Sequence, residues 1–240
     1  MKQILLSYPR SGNHFVRFII EYISSLPTHG SVHRITGAIG SDTYICAKQF
    51  KNKNLLSHVK IDAPPIIYKY HYIPSETPGK IILILRDYRE CITNHKAGKL
   101  PLDSSGLAGY MELIKYFDQF RGPKLLIYYE ELLTMPNTII KQIYNFLHLT
   151  DDIFLNKFLQ DSTLIIQQSK EMIDNKPIAD AQQIFPNVKS QKLVAYKIQS
   201  GGNLKYHQYR LSQQHVCKAK QYILNNFPTL CNYIKRYFDN

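Results

Sequence analysis

At 240 residues, 44% hydrophobic and 12% aromatic, the chain is long and apolar enough for one sizeable globular domain with its own core. Thirty Lys and Arg against 18 Asp and Glu give a net charge of +12, which suits nucleic acid, anionic lipid or a phosphorylated or sulfated small molecule as a partner, and equally an ordinary lysine-covered surface. Cys46, Cys91, Cys217 and Cys231 show neither CxxC nor metal-ligand spacing, the apolar run Ile4-Leu5-Leu6 is too short for a signal peptide, and no window approaches the roughly 18 apolar residues of a membrane span, so reduced thiols in a cytoplasmic protein without a disulfide framework are expected.

Residues 3–7 read as a short buried strand. From Phe15 the spacing turns helical, with Phe15, Ile19, Tyr22 and Leu26 on one face, Asn13 as the N-cap and Pro27 as the stop. Residues 28–60 are polar, aromatic and weakly patterned, and read as irregular with at most one short helix. Two continuous apolar runs follow, Ile66 to Lys69 after Pro64-Pro65 and Lys80 to Leu85 after Pro78-Gly79, as buried parallel strands require. The pattern then predicts a helix following Arg86, through about Lys96, a loop from Gly98 to Gly106, and a helix to about Phe120. A fourth strand is predicted at Leu125 to Tyr129, then an amphipathic helix from Asn137 to Leu147. The last third reads as mostly helical, broken near Ser200 to Asn203.

Alternating strands and helices imply a single domain, residues 1–240, of α/β class: a central parallel sheet with helices on both faces. In such sheets ligands bind beyond the carboxyl ends of the strands. Three polar clusters fall there: Tyr8 to His14, Lys69 to His71, and Arg86 to Asn94. The first, SYPRSGNH, stands between a strand and a helix. Such a turn can cradle a phosphate, because the first helical N–H groups and the helix dipole face the anion. Gly12 permits close backbone approach and Arg10 adds a full charge. The stretch lacks the second Gly and the Lys of a Walker A loop, and a plain strand-to-helix connection is the other reading.

SYPRSGNHF resembles the 5′-phosphosulfate loop of the sulfotransferases that use 3′-phosphoadenosine 5′-phosphosulfate (PAPS), usually worded close to TYPKSGTTW. Tyr8, Pro9, Ser11 and Gly12 match, Arg10 replaces Lys, Asn13 and His14 replace hydroxyl residues, and Phe15 stands where an adenine-stacking Trp is common. LILRDYRECITNH is similar to the family stretch VVRNPRDVAVSYY, which places Arg86 at the 3′-phosphate and Asn94 at the position of its Ser partner. For Arg86 the competing reading is an ion pair with Asp87 or Glu90. YKYHYIP is similar to KTHLP, matching Lys69 and His71. LLIYYEELLTMPNTIIKQIYNFLHL resembles LLVRYEDLLADPEATLRRIADFLGL, with a turn at Pro136 and Tyr129 at the adenine edge. QSKEM looks like TSFEKM, placing Ser169 on the adenine side. KIQSGGNLKYHQYRLS is loosely similar to the arm that closes over the 3′-phosphate, with Lys197 at its first basic position.

The resemblance spans residue 1 to about 215. It implies a three-layer α/β/α fold with a P-loop NTPase-like core. It also implies transfer of a sulfuryl group from PAPS to a hydroxyl or amine, without a metal. Under it, Arg10, Ser11, Gly12, Asn13, His14 and Phe15 hold the donor's 5′ end and base, Arg86 and Asn94 its 3′-phosphate, and His71 takes the acceptor's proton with Lys69 beside it. Small-molecule, glycan and lipid acceptors all stay open, as does the oligomeric state. The alternatives are a nucleotide-dependent phosphotransferase, a nucleic-acid-binding protein suggested by the charge and 18 Tyr, and an inactive nucleotide-binding relative. Against the phosphotransferase stands the missing Walker Lys. No RNP, KH or zinc-finger pattern supports nucleic-acid binding, and none is expected as a partner.

Overall fold

The computed structural model describes residues 1–30, 56–60, 62–96, 98–166 and 211–238. Five strands form one sheet, β1 (Gln3–Ser7), β2 (Thr28–Gly30), β3 (Ile67–Tyr70), β4 (Lys80–Leu85) and β5 (Lys124–Tyr128), in the order β2-β3-β1-β4-β5. The pairs β1 with β4, β4 with β5 and β2 with β3 are parallel. Residues Ile4 to Ser7 and Ile81 to Leu85 are buried without a break. That is why both strands read as continuous apolar runs: each faces packed side chains on both sides.

The order places a topological switch at β1. The helix after it, α1 (Asn13–Ser24), leads toward β2, whereas α2 (Tyr88–His95) and α3 (Leu107–Gln119) after β4 lead to β5 on the other side. In open α/β sheets, strands whose connections leave in opposite directions mark where ligands bind, beyond the carboxyl ends. Ser7 pairs with Ile84 and Leu85 with Tyr128, so the three strands end at nearly the same level.

By its contacts the chain forms two compact units. The first comprises the described residues of Met1–Asn13, Tyr70–Glu130 and Asn203–Asn240. Its core joins Ile4 and Leu6 of the first strand, Tyr8 just beyond it, and Ile81, Leu83 and Leu85 of the fourth to α2, α3 and the C-terminal helices α7 (Gln213–Asn226) and α8 (Cys231–Ile234). Between the fifth strand and these helices come α4 (Tyr129–Thr134), α5 (Pro136–Phe146) and α6 (Ile153–Gln160).

The second unit is built from the described residues of His14–Lys69 and Glu131–Gly202. Within it Tyr22 makes edge contacts with Phe154, Phe158 and His58. Burial lowers the pKa of His58, against the opposing pull of its bond to the Tyr22 carbonyl.

Three local expectations are corrected. Thr28–Gly30 is a strand, held by side chains that no periodicity reveals. Arg17 and Glu21 are fully buried on α1; Arg17 Nε donates to Thr28 Oγ1 at 2.8 Å, and Thr28 donates to Glu21 Oε1 through its hydroxyl at 2.6 Å and its N–H at 3.0 Å. Pro136 opens a helix instead of forming a turn: its missing N–H costs nothing at the first helical position. Tyr129 begins α4 instead of ending the strand before it. The expected break at Ser200 to Asn203 lies outside the described residues, as do residues 31–55.

Candidate functional site

The turn from Tyr8 to Asn13 leaves the first strand at the switch point. Ser11 N–H donates to the Tyr8 carbonyl at 3.3 Å, closing the turn. Arg10 and Gly12 both have positive φ, 71° and 88°. For Arg10 this left-handed conformation costs roughly 1 kcal/mol or more, so the surroundings must hold it. A Cβ on Gly12 would lie 2.3 Å from Cδ2 and Cε2 of Tyr129, which no side chain can satisfy. The backbone there lies directly against the tyrosine ring.

Arg86, at the end of the fourth strand, supplies the hold. Its Nη1 donates to the Arg10 carbonyl at 3.1 Å, its Nε donates to Glu90 Oε2 at 3.0 Å, and its guanidinium lies 4.6 Å from the centre of the Tyr129 ring. Both Arg86 and Tyr129 are buried. The Tyr110 hydroxyl fixes the Arg86 carbonyl at 2.8 Å. Of the two carboxylates the sequence offered Arg86, the structure selects Glu90, one helical turn away. Asp87 caps α2 by accepting from Arg89 N–H, and pairs with the Arg89 guanidinium. Burial, with Asp87 and Glu130 adding to it against Arg86, raises the Glu90 pKa to about 7.

Ser11 is fully buried and shares a hydrogen bond of 3.2 Å between its Oγ and Cys91 Sγ. Burial pushes the Cys91 thiol up to about 12. Asn13 is also buried, and its Oδ1 has no hydrogen-bond partner among the described residues. It is the first residue of α1 instead of its cap, so the first-turn amides of that helix follow directly on the turn.

His71 is pinned beside the root of the same turn. Its Nδ1 lies 2.7 Å from the Ser7 carbonyl oxygen and 3.3 Å from Ser7 Oγ. A carbonyl can only accept, so Nδ1 carries the proton and the ring's lone pair sits on Nε2. The first unit thus brings together Arg10, Ser11, Gly12, Asn13, Arg86, Tyr129 and His71. Asn94 stands half-buried in the last turn of α2. In the second unit His14 is half-buried, Phe15 is buried in the first turn of α1, and Lys69 is buried on β3 opposite Gly30. Ser169 and Lys197 lie outside the described residues. Reading the sequence as i,i+4 pairs points to Glu90. No local signal points to Ser7 as the partner of His71, since only the sheet brings them together.

Neither a protein-family model nor a curated protein sequence matches the chain. Among solved structures it is similar to mouse sulfotransferase SULT7A1 complexed with PAP, at 17% identity and a TM-score of 0.53, over 98% of this chain and 87% of the other. A retinol dehydratase in a complex with retinol and PAP aligns at 15% identity and a TM-score of 0.49, over 94% and 80% of the two chains. A parallel five-stranded sheet with flanking helices and the likeness to the mouse sulfotransferase agree: the chain has the fold of the PAPS-dependent sulfotransferases.

Proposed function

We propose that this protein is a PAPS-dependent sulfotransferase acting on a hydroxyl or amine acceptor. The observation that carries the reading is the turn at Arg10 to Asn13. It has a left-handed arginine and glycine, is pressed on Tyr129, and is hydrogen-bonded through its own carbonyl by Arg86. The residues fit an anionic nucleotide. Two guanidinium-bearing residues meet at one turn, and helix amides follow it.

When bound, PAPS supplies the activated sulfuryl group. The N–H groups of Gly12, Asn13 and His14 and the Arg10 charge hold its 5′ end, where negative charge must be stabilised. Ser11 acts from inside, keeping the turn closed. Arg86 and Asn94 take the 3′-phosphate, Tyr129, Phe15 and Ser169 the adenine, and Lys197 the arm over the 3′-phosphate. His71 accepts the acceptor's proton on Nε2, its other nitrogen being tied to Ser7. Lys69 steadies the sulfuryl oxygens. The assignments of His14, Phe15, Lys69, Asn94, Ser169 and Lys197 rest on the motif resemblance. Among the described residues Cys91, Cys217 and Cys231 are free thiols and no helix is long and apolar enough to cross a membrane. A reducing cytoplasm is part of the proposal.

The test is a calorimetric titration with PAP and with ATP, beside an acceptor screen with labelled PAPS. PAP binding much tighter than ATP, and label transfer to at least one phenol, alcohol, glycan or amine, is expected. Equal or stronger binding of ATP would return the chain to the phosphotransferase reading.

A further inference from the structure

The C-terminal segment, beyond the stretch with motif resemblance, ends against the two segments that carry Arg86 and Tyr129. The Tyr237 hydroxyl donates to Glu130 Oε2 at 2.9 Å. The other oxygen of the same carboxylate, Oε1, accepts the Asp87 N–H at 3.1 Å. Glu130 directly follows Tyr129, and Asp87 directly follows Arg86. One carboxylate therefore spans the turn after the fourth strand and the start of α4 after the fifth, and one hydroxyl from the far end of the chain holds that carboxylate.

The holding end is itself fastened. The Tyr128 hydroxyl donates to the Tyr233 carbonyl at 3.0 Å, the Arg236 guanidinium lies 4.1 Å from the centre of the Tyr128 ring, and the Tyr233 hydroxyl donates to Asp118 Oδ1 at 2.7 Å. Leu230, Ile234 and Tyr237 are buried. A tether that only filled space would need no hydroxyl. Here the hydroxyl is aimed at the carboxylate that ties the two segments. Burial first and the Glu130 charge second raise the Tyr237 pKa far above its ordinary value, so it keeps its proton and stays a donor at any physiological pH.

We infer that Tyr237, acting through Glu130, is a positioning residue for the nucleotide: it fixes the separation of Arg86 and Tyr129, and with it the grip on the 3′-phosphate and adenine. The inference rests on the nucleotide reading above and deepens it by adding a residue that contacts no ligand. Because Arg86 and Tyr129 also brace Gly12 and Arg10, the same relay reaches the phosphosulfate turn.

The experiment measures PAP and AMP affinity of the full chain by calorimetry, with thermal unfolding alongside, for wild type, Tyr237→Phe, Glu130→Gln and Glu130→Leu. AMP lacks the 3′-phosphate, so the PAP-to-AMP ratio reports the Arg86 grip apart from general stability. Wild type should prefer PAP by roughly 10- to 100-fold, the worth of a charge-assisted contact. Tyr237→Phe should lower that ratio about 3- to 10-fold, as loss of one buried hydrogen bond allows. Glu130→Gln still offers an acceptor to Asp87 and a donor to the Tyr237 oxygen, and should keep the ratio within about twofold. Should Tyr237→Phe fail to fold, the contrast between Glu130→Leu, which loses the ratio, and Glu130→Gln, which keeps it, decides the matter. An unmoved ratio in the folded Tyr237→Phe or Glu130→Leu variant overturns the inference alone. A wild type that does not prefer PAP overturns the nucleotide reading and the inference with it.

Discussion

Arg10 and His71 owe their chemistry to backbone carbonyls. The Arg10 carbonyl is held by Arg86, which keeps an arginine in a conformation that favours glycine, and the Ser7 carbonyl decides the His71 tautomer. A histidine whose Nδ1 proton is engaged presents a basic Nε2, the form a general base needs. His71→Ala should lower turnover by about 10²- to 10⁴-fold while leaving PAP affinity nearly unchanged, as paired steady-state rates and calorimetry would read. Turnover equal to wild type would remove His71 from the mechanism. The chain itself carries the turn motif and the Lys69-to-His71 spacing as candidates. The partner of His71 leaves no such trace, because Ser7 and His71 are 64 positions apart and only the folded sheet joins them.

Among the elements, α1 and β2 show how far patterning reaches. The helix was legible from its apolar face; Val16, Phe18, Ile19, Ile20 and Ile23 are all buried. Arg17 and Glu21, which a polar-face reading sends to solvent, are buried with them and capture Thr28. That is why a three-residue strand with no alternation escaped the sequence reading. Thr28→Val keeps the shape and β-branching but removes two buried hydrogen bonds, so urea unfolding should show a loss of about 1–3 kcal/mol. Wild-type stability in that variant would mean that the hydroxyl contributes nothing to seating the strand on the helix. Pro136 went the other way: its ring suggested a turn, yet the helix it opens uses the fixed φ that the ring imposes.

Across the whole molecule, an excess of positive charge coexists with a cluster of acids behind the turn, Asp87, Glu90 and Glu130. Glu90 links that cluster to global stability. Its folded pKa of about 7 stands above the ordinary value of 4.5, chiefly through burial, so between those values the native state holds a proton that the unfolded chain has lost. Its contribution is therefore complete below about pH 4.5 and disappears as pH rises through about 7. Urea unfolding of wild type and Glu90→Gln at pH 5 and pH 8 should show the variant gaining on wild type by about 1–2 kcal/mol as pH rises, the full shift being reduced by the partial exposure of the carboxyl to solvent. A gap that does not change with pH would place the Glu90 carboxyl in the ordinary range.

The sequence alone determined the class of fold and singled out the candidate site. Strands buried on both faces must be apolar throughout, helices must repeat near 3.6 residues, and a turn that takes a positive φ against a neighbouring ring needs its glycine; each of these constraints is local and leaves a local trace. Only the tertiary structure decided that Ser7 orients His71, that Thr28 is a strand residue, and that Tyr237 closes on Glu130 from the far end of the chain. Those are pairings of polar groups brought together by burial, and a hydrogen bond between distant residues imposes no period on the sequence between them.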